Sequence, residues 1–139
     1  MNESARVSRP NPVKVLVCDD DETVRTLLGL IIELRPSLQL VGKAADGHQA
    51  ILESERLQPD VILLDLSMPR LSGLEALPDI KRVAPGAKVI VLSGFSASVM
   101  AQDALDAGAD RYVEKGAHPE SIAIAIEQIA ARINDPSVT

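Results

Sequence analysis

Residues 61–69 read VILLDLSMP, four apolar residues that lead into an aspartate and then a loop with Ser and Pro. A short run of Val, Ile and Leu bounded in this way predicts a strand that is buried on both faces. The third strand is thus placed at Val61 to Leu64. Four more runs of the same form predict the other strands, at Val13 to Cys18, Leu38 to Ala44, Lys88 to Leu92 and Arg111 to Val113.

Segments with helical spacing separate these runs. The clearest apolar stripe, at i, i+3, i+4 and i+7, is formed by Val24, Leu27, Leu28 and Ile31. In the third segment we expect Pro78 to kink the helix or to delay its regular part. Because strand and helix alternate, the sequence predicts an α/β fold whose mostly parallel sheet carries helices on both faces.

Composition narrows the class of protein. The chain has 139 residues, of which 46% are apolar and 1% aromatic, so one domain with an aliphatic core is expected. The net charge is -6 and no run of Lys or Arg occurs, which argues against direct nucleic-acid binding. No segment is apolar enough to span a membrane, and no signal peptide is visible. We therefore expect a cytoplasmic protein.

The polar ends of the chain set the expected domain bounds. Residues 1–12 are interpreted as a flexible N-terminal arm, residues 13–133 as the folded domain, and residues 134–139 as a short tail. Cys18 is the only cysteine and lies in an apolar run, so we expect an inert buried thiol.

Polar residues stand where four of the predicted strands end. Asp19 and Asp20 follow the first strand, Asp65 the third, Ser93 the fourth and Lys115 the fifth. Because parallel strands bring their carboxyl ends to one edge, these side chains are expected to converge. Neighbouring carboxylates repel one another unless a cation neutralises them, and Mg²⁺ prefers oxygen ligands. This set of residues suits metal-assisted phosphoryl transfer.

The stretches VLVCDDDETVR, PDVILLDLSMPRLSG, VIVLSG and GADRYVEKG together resemble the receiver domains of bacterial two-component response regulators, which are CheY-like. The resemblance covers nearly the whole predicted domain. It implies a flavodoxin-like (βα)5 three-layer sandwich with strand order 2-1-3-4-5. The segment KGAHPE is similar to receivers of the nitrate-response, LuxR-type group, which normally precede a DNA-binding domain.

The resemblance also implies a metal site and a phosphorylation site. Asp65 would accept the phosphoryl group from a sensor histidine kinase or a phosphotransfer protein. Asp20 would bind Mg²⁺ directly and Asp19 largely through water, while the backbone carbonyl of Ser67 would be a further ligand beside Asp65. The domain would promote its own phosphorylation and dephosphorylation without being a turnover enzyme.

Signal output is implied by the same resemblance. Ser93 and Lys115 would contact the phosphoryl group, and Tyr112 would turn inward when Ser93 moves towards it. The output surface would be helix four, strand five and helix five, which would bind a downstream protein or a DNA-binding output domain, or form a homodimer. Ile124 lies off the main apolar stripe of helix five, so we expect it to be exposed. A stand-alone receiver and the N-terminal part of a longer regulator both remain open.

Two other classes compete with this interpretation. Asp19, Asp21 and Thr23 match the D-x-D-x-T signature of haloacid-dehalogenase-like phosphatases, and VIVLSG resembles their second motif. That class needs a further acidic motif on a strand after Lys115, and it leaves Asp65 without a role. A metal-free binding module with a degenerate acidic pocket is the third alternative.

Overall fold

The computed structural model describes residues 11–94 and 97–133, without the side chains of 97–99 and 132–133. Most of the expected arm and all of the expected tail, residues 134–139, lie outside the described residues. The sheet is parallel and has the order β2-β1-β3-β4-β5, which confirms the flavodoxin-like prediction. Its strands are β1 Val13–Cys18, β2 Leu38–Ala44, β3 Val61–Asp65, β4 Lys88–Ser93 and β5 Arg111–Glu114.

A helix follows each strand, as the alternating pattern predicts. The helices are α1 Glu22–Glu33, α2 Gly47–Leu57, α3 Gly73–Val83, α4 Ala97–Asp106 and α5 Pro119–Ile133. Helices α1 and α5 pack on one face of the sheet, and α2, α3 and α4 pack on the other. Each strand therefore leads directly from the core into a loop at the carboxyl edge.

Helix α3 contradicts one of the two alternatives expected for Pro78, a delay in the regular part of the helix. We expected that residue to kink the helix or to delay its regular part, but the helix begins at Gly73 and runs through Pro78 to Val83. The delay was wrong because Ser72 and Glu75 form a capping box that fixes the first turn ahead of the proline. Pro78 still removes one backbone hydrogen bond from the interior of the helix.

The core consists of two aliphatic layers, one on each side of the sheet. In β3, Val61 and Leu63 face α1 and α5, whereas Ile62 and Leu64 face the layer formed with α2, α3 and α4. All four side chains are fully buried. Burying a Val, Leu or Ile side chain contributes about 1.5–3 kcal/mol, so β3 is firmly held on both faces. Its last residue, Asp65, is thereby fixed in position.

Two expectations about chemistry within the domain can be compared with the structure. Cys18 is buried at the end of β1, and burial, together with the nearby charges of Asp19 and Glu53, raises the pKa of its thiol. The thiol therefore stays protonated and unreactive, as expected. Within the residues that the structure describes, no helix is both long and apolar enough to cross a membrane.

Candidate functional site

Three carboxylates meet at the carboxyl edge of the sheet. Asp19 and Asp20 follow β1, and Asp65 is the last residue of the neighbouring strand β3. Carboxylate oxygens of the three residues all lie within 4.8 Å of one another. Asp19 and Asp65 are buried, with 1% and 2% of their surface exposed, whereas Asp20 is open to solvent. The structure thus brings together the acidic residues that the sequence selects.

A single lysine joins the two buried carboxylates. The Nζ atom of Lys115 lies 2.9 Å from Oδ2 of Asp19 and 3.2 Å from Oδ2 of Asp65. The backbone N–H of Lys115 donates to the carbonyl of Ser93 at 2.9 Å, which holds the residue beside the end of β4. Among the described residues, Lys115 is the one cation that pairs with these carboxylates, so the cluster carries excess negative charge.

The ionisation of Asp65 reflects this imbalance. Burial, followed by the charge of Asp19, raises the pKa of the Asp65 carboxyl, although the Ser67 N–H and Lys115 act in the opposite direction. The Ser67 N–H donates to Oδ1 of Asp65 at 3.1 Å. Burial lowers the pKa of Lys115, but the hydrogen bond to Asp19 and the charges of both acids outweigh it, so that this pKa is raised. A further cation would stabilise the ionised cluster.

Asp19 has one oxygen that suits a metal ion. Its Oδ1 accepts from the N–H of Asp21 at 2.9 Å, and its backbone carbonyl accepts from Nη1 of Arg25 at 2.6 Å. Oδ2 is buried, and its one ion-pair partner among the described residues is the Lys115 ammonium at 2.9 Å. A buried oxygen of this kind among three carboxylates matches the hard oxygen ligands that Mg²⁺ prefers.

The other predicted site residues surround this cluster. Ser93 is fully buried as the last residue of β4, adjacent in the sheet to Glu114 at the end of β5. Tyr112 is half-buried in β5 and packs against the layer that contains α2, α3 and α4. Ser67 is exposed in the loop after β3. The roles expected for these three residues stay predictions.

Sequence analysis did not single out several residues that shape this edge. Arg25 contacts the backbone carbonyl of Asp19. The feature of the sequence that could have indicated this contact is a charged residue in α1, on a side of the helix that is half-buried in the structure. Arg70 follows Asp65 in the loop, has a positive φ of 65° and pairs with Asp46. Gly73 packs so closely that a β-carbon there would overlap the carbonyl oxygen of Asp65. The feature of the sequence that could have indicated this close packing is the Ser-Gly pair, Ser72 and Gly73, at the start of α3.

Comparisons with known proteins agree with the geometry of the site. The family model for the response regulator receiver domain matches residues 15–127. The nitrate/nitrite response regulator NarL of Escherichia coli K12 is 36% identical over 125 residues, which cover 90% of this chain and 58% of that protein. The response regulator VraR of Staphylococcus aureus Mu3 is 37% identical over 116 residues, 84% of this chain and 56% of that protein. The chain therefore spans a little over half the length of these relatives.

A solved structure gives the same result. A two-component response regulator of the LuxR family from Aurantimonas superimposes with a TM-score of 0.82 at 31% identity, covering 87% of this chain and 86% of that one. The similarity to NarL agrees with the prediction from KGAHPE. None of these comparisons supports the phosphatase alternative, and after Lys115 the described chain forms α5 rather than another strand. The chain belongs to the response regulator receiver domain family.

Proposed function

We propose that this chain is the phosphoacceptor switch of a two-component system and that Asp65 accepts the phosphoryl group. The observation that carries the proposal is the cluster of Asp19, Asp20 and Asp65 within 4.8 Å, with Lys115 contacting both buried carboxylates. Asp19, Asp20, Asp65 and the backbone carbonyl of Ser67 would hold Mg²⁺. When bound, Mg²⁺ supplies charge neutralisation for the transferring phosphoryl group.

The chain's own residues define the reaction. An oxygen of the Asp65 carboxylate forms a new P–O bond while the P–N bond of a phosphohistidine donor breaks, and the donor imidazole leaves with the electron pair and takes up a proton. Lys115 lies 3.2 Å from Asp65 and can pair with the phosphoryl oxygens. Asp65 is buried, which limits the approach of water to its carboxylate.

Phosphorylation would act through a shift between two conformations. The phosphoryl group would draw the hydroxyl of Ser93 towards it, and Tyr112 would turn further into the core on the same side of the sheet. A ligand shifts such an equilibrium only by its differential affinity for the two states. Ser93 and Lys115 are suited to supply it, because each lies at the end of a strand that leads into the surface of α4, β5 and α5.

We assign signal output to the surface formed by α4, β5 and α5. A sensor histidine kinase or phosphotransfer protein would supply the phosphoryl group, and a downstream protein, a DNA-binding output domain or a second copy would contact this surface in the cytoplasm. Ile124 is 42% exposed there. Ile124→Glu is expected to abolish self-association or partner binding, measured by light scattering and pull-down. Leu52→Glu, at an exposed position of α2, is the matched control and should change neither self-association nor partner binding.

Mass spectrometry tests the phosphoacceptor directly. The protein is incubated with a small acyl phosphate and Mg²⁺, and the modified peptide is mapped. We expect one phosphoryl group per chain on the peptide that contains Asp65, and no modification when EDTA replaces Mg²⁺. A mark on Asp19 instead, or modification that does not depend on the metal, would contradict the proposal.

A further inference from the structure

Arg25 connects helix α1 to the acidic cluster through the backbone. Its Nη1 donates to the carbonyl oxygen of Asp19 at 2.6 Å, and the side chain is half-buried. That carbonyl belongs to the peptide group that joins Asp19 to Asp20. On the other side of Asp19, its N–H donates to Ala44 of β2 at 3.0 Å. Arg25 therefore fixes the orientation of the peptide plane from which Asp20 projects.

The Asp20 carboxylate has little else to hold it in place. It is exposed, and within the described residues no hydrogen bond or ion pair reaches it, although it lies within 4.8 Å of the other two carboxylates. With no side-chain partner among the described residues, the starting point and the Cα–Cβ direction of this side chain are set by the backbone. We propose that Arg25 is a positioning residue that keeps the Asp20 carboxylate directed at the Mg²⁺ position. This inference rests on the function proposed above.

A purely structural role for Arg25 is less consistent with its surroundings. Helix α1 is already anchored by its N-cap, Asp21, which accepts from two backbone N–H groups, and by Leu28 and Ile32 in the core. The chain entering the helix is also held by the bond from the Asp21 N–H to Asp19. Helix α1 therefore has other anchors besides the Arg25 guanidinium, whereas the Asp19–Asp20 peptide has no other described donor to its carbonyl.

Charge and positioning predict opposite effects on metal binding. The guanidinium is a cation close to the cluster, so its charge alone repels Mg²⁺, and removing it would tighten binding. If Arg25 acts mainly by orienting the peptide, removing it loosens binding instead. Groups that orient metal ligands typically change metal affinity by 10- to 100-fold when they are removed. The sign of the change therefore separates the two roles.

The experiment measures Mg²⁺ binding to the whole chain by isothermal titration calorimetry. Arg25→Met removes the donor and the charge while keeping much of the side-chain volume, and we expect the Kd for Mg²⁺ to rise roughly tenfold. Arg82→Met is the matched control. It removes the same charge from an exposed pair with Asp79 on α3, so its Kd should stay within about twofold of the wild type.

Phosphorylation kinetics give a second readout that loss of structure would not produce. With a small acyl phosphate, the Mg²⁺ concentration for half-maximal rate should rise roughly tenfold in Arg25→Met, while the rate at saturating Mg²⁺ stays within about twofold of the wild type. Arg25→Gln repeats both measurements if circular dichroism shows that Arg25→Met is unfolded.

The outcomes distinguish this inference from the proposed function. An unchanged or tighter Mg²⁺ Kd in the Arg25 variants, with normal binding by the wild type, would overturn the positioning role alone. A wild-type protein that binds no Mg²⁺ and accepts no phosphoryl group would overturn both. A rate at saturating Mg²⁺ that falls as strongly as the affinity would also contradict the inference, because it would indicate damage beyond metal binding.

Discussion

Asp46 and Asp65 are two aspartates at the same edge of the sheet, with similar burial and opposite electrostatics. Asp46 is 5% exposed and Asp65 is 2% exposed. Oδ1 of Asp46 accepts from the N–H of Gln49 at 2.9 Å, and Oδ2 pairs with Arg70 at 3.0 Å. The bond from Gln49, together with Arg70, holds the pKa of Asp46 below its usual value, whereas burial and Asp19 raise the pKa of Asp65.

The difference lies in how many partners each carboxylate has. Asp46 has a cation of its own and caps α2, so its interactions are complete and it stabilises the fold. Asp65 shares Lys115 with Asp19, and among the described residues no other cation forms an ion pair with it, so a bound cation can supply the remaining positive charge. Perturbed carboxylates of the second kind mark functional sites. Burial of an aspartate is therefore less informative than the balance of charge around it.

Replacing each aspartate by the isosteric amide should give the largest contrast. Asp65→Asn is expected to abolish phosphorylation by acyl phosphate and Mg²⁺, a loss of more than about 100-fold, because the amide is not a nucleophile. Asp46→Asn should be phosphorylated at the wild-type rate. The measurement is intact-protein mass spectrometry over time. Phosphorylation of Asp65→Asn would mean that Asp19 or Asp20 is the acceptor.

Substitution of the two aspartates should change the free energy of unfolding in opposite directions. Asp46→Ala removes the N-cap of α2 and the pair with Arg70, and we expect the free energy of unfolding to fall by about 2 kcal/mol. In metal-free solution Asp65→Asn removes a buried charge that Asp19 repels, so the free energy of unfolding should rise by up to about 1 kcal/mol. Urea denaturation in EDTA measures both. A large loss of stability in Asp65→Asn would show that Lys115 alone balances the cluster.

The sequence was sufficient to predict the sheet and the main members of the site. Short aliphatic runs reveal buried strands independently of distant contacts, and in a parallel sheet the residues at the strand ends must meet at one edge. For this reason the sequence alone places Asp19, Asp65 and Lys115 together. Three strands extend one residue further than predicted, to Asp65, Ser93 and Glu114, because a polar residue at a strand end carries no periodic signal.

The remaining features depend on distances that no local pattern encodes. The pairing of Asp46 with Arg70 joins residues 24 positions apart, and an isolated aspartate before a helix predicts only a cap. Arg25 reaches back six residues to a backbone carbonyl, a contact that requires the particular angle between α1 and β1. The capping box that begins α3 is a local feature of Ser72 and Glu75, but Pro78, three residues after Glu75, favoured the prediction of a later start.

The pH dependence of stability should also have opposite signs at the two aspartates. The pKa of Asp46 is below its ordinary value in the folded state, so its contribution is present above about pH 4 and is lost as the pH falls through the folded pKa. The pKa of Asp65 is raised, so folding favours its protonated form, and stability declines as the pH rises from about 4 through that pKa.

Urea denaturation in EDTA at a series of pH values from about 3 to 7 tests these signs. The stability advantage of the wild type over Asp46→Asn should shrink towards the acid end. The advantage of Asp65→Asn over the wild type should grow towards neutral pH. A difference between Asp65→Asn and the wild type that does not vary with pH would show that the Asp65 charge imposes no cost on the metal-free fold.

The smallest expected effect concerns Arg70, the residue whose guanidinium pairs with Asp46. Arg70 has a φ of 65°, a conformation in which a side chain is strained and glycine is not. Arg70→Ala and Arg70→Gly both lose the pair with Asp46, so the difference between them isolates the backbone. We expect Arg70→Gly to be more stable than Arg70→Ala by about 0.5–1 kcal/mol, since relief of strain exceeds the added entropy of the unfolded chain.

Thermal denaturation of the two Arg70 variants measures this difference, and Gln58, with a φ of 46°, provides a matched pair in Gln58→Gly and Gln58→Ala. The same order at both positions would show that a side chain with a positive φ is strained in this fold, including at Arg70, where the guanidinium pairs with Asp46. Equal stability of Arg70→Ala and Arg70→Gly would contradict that view. The pair with Asp46 would then involve no strain, and any residue with a suitable charge could serve.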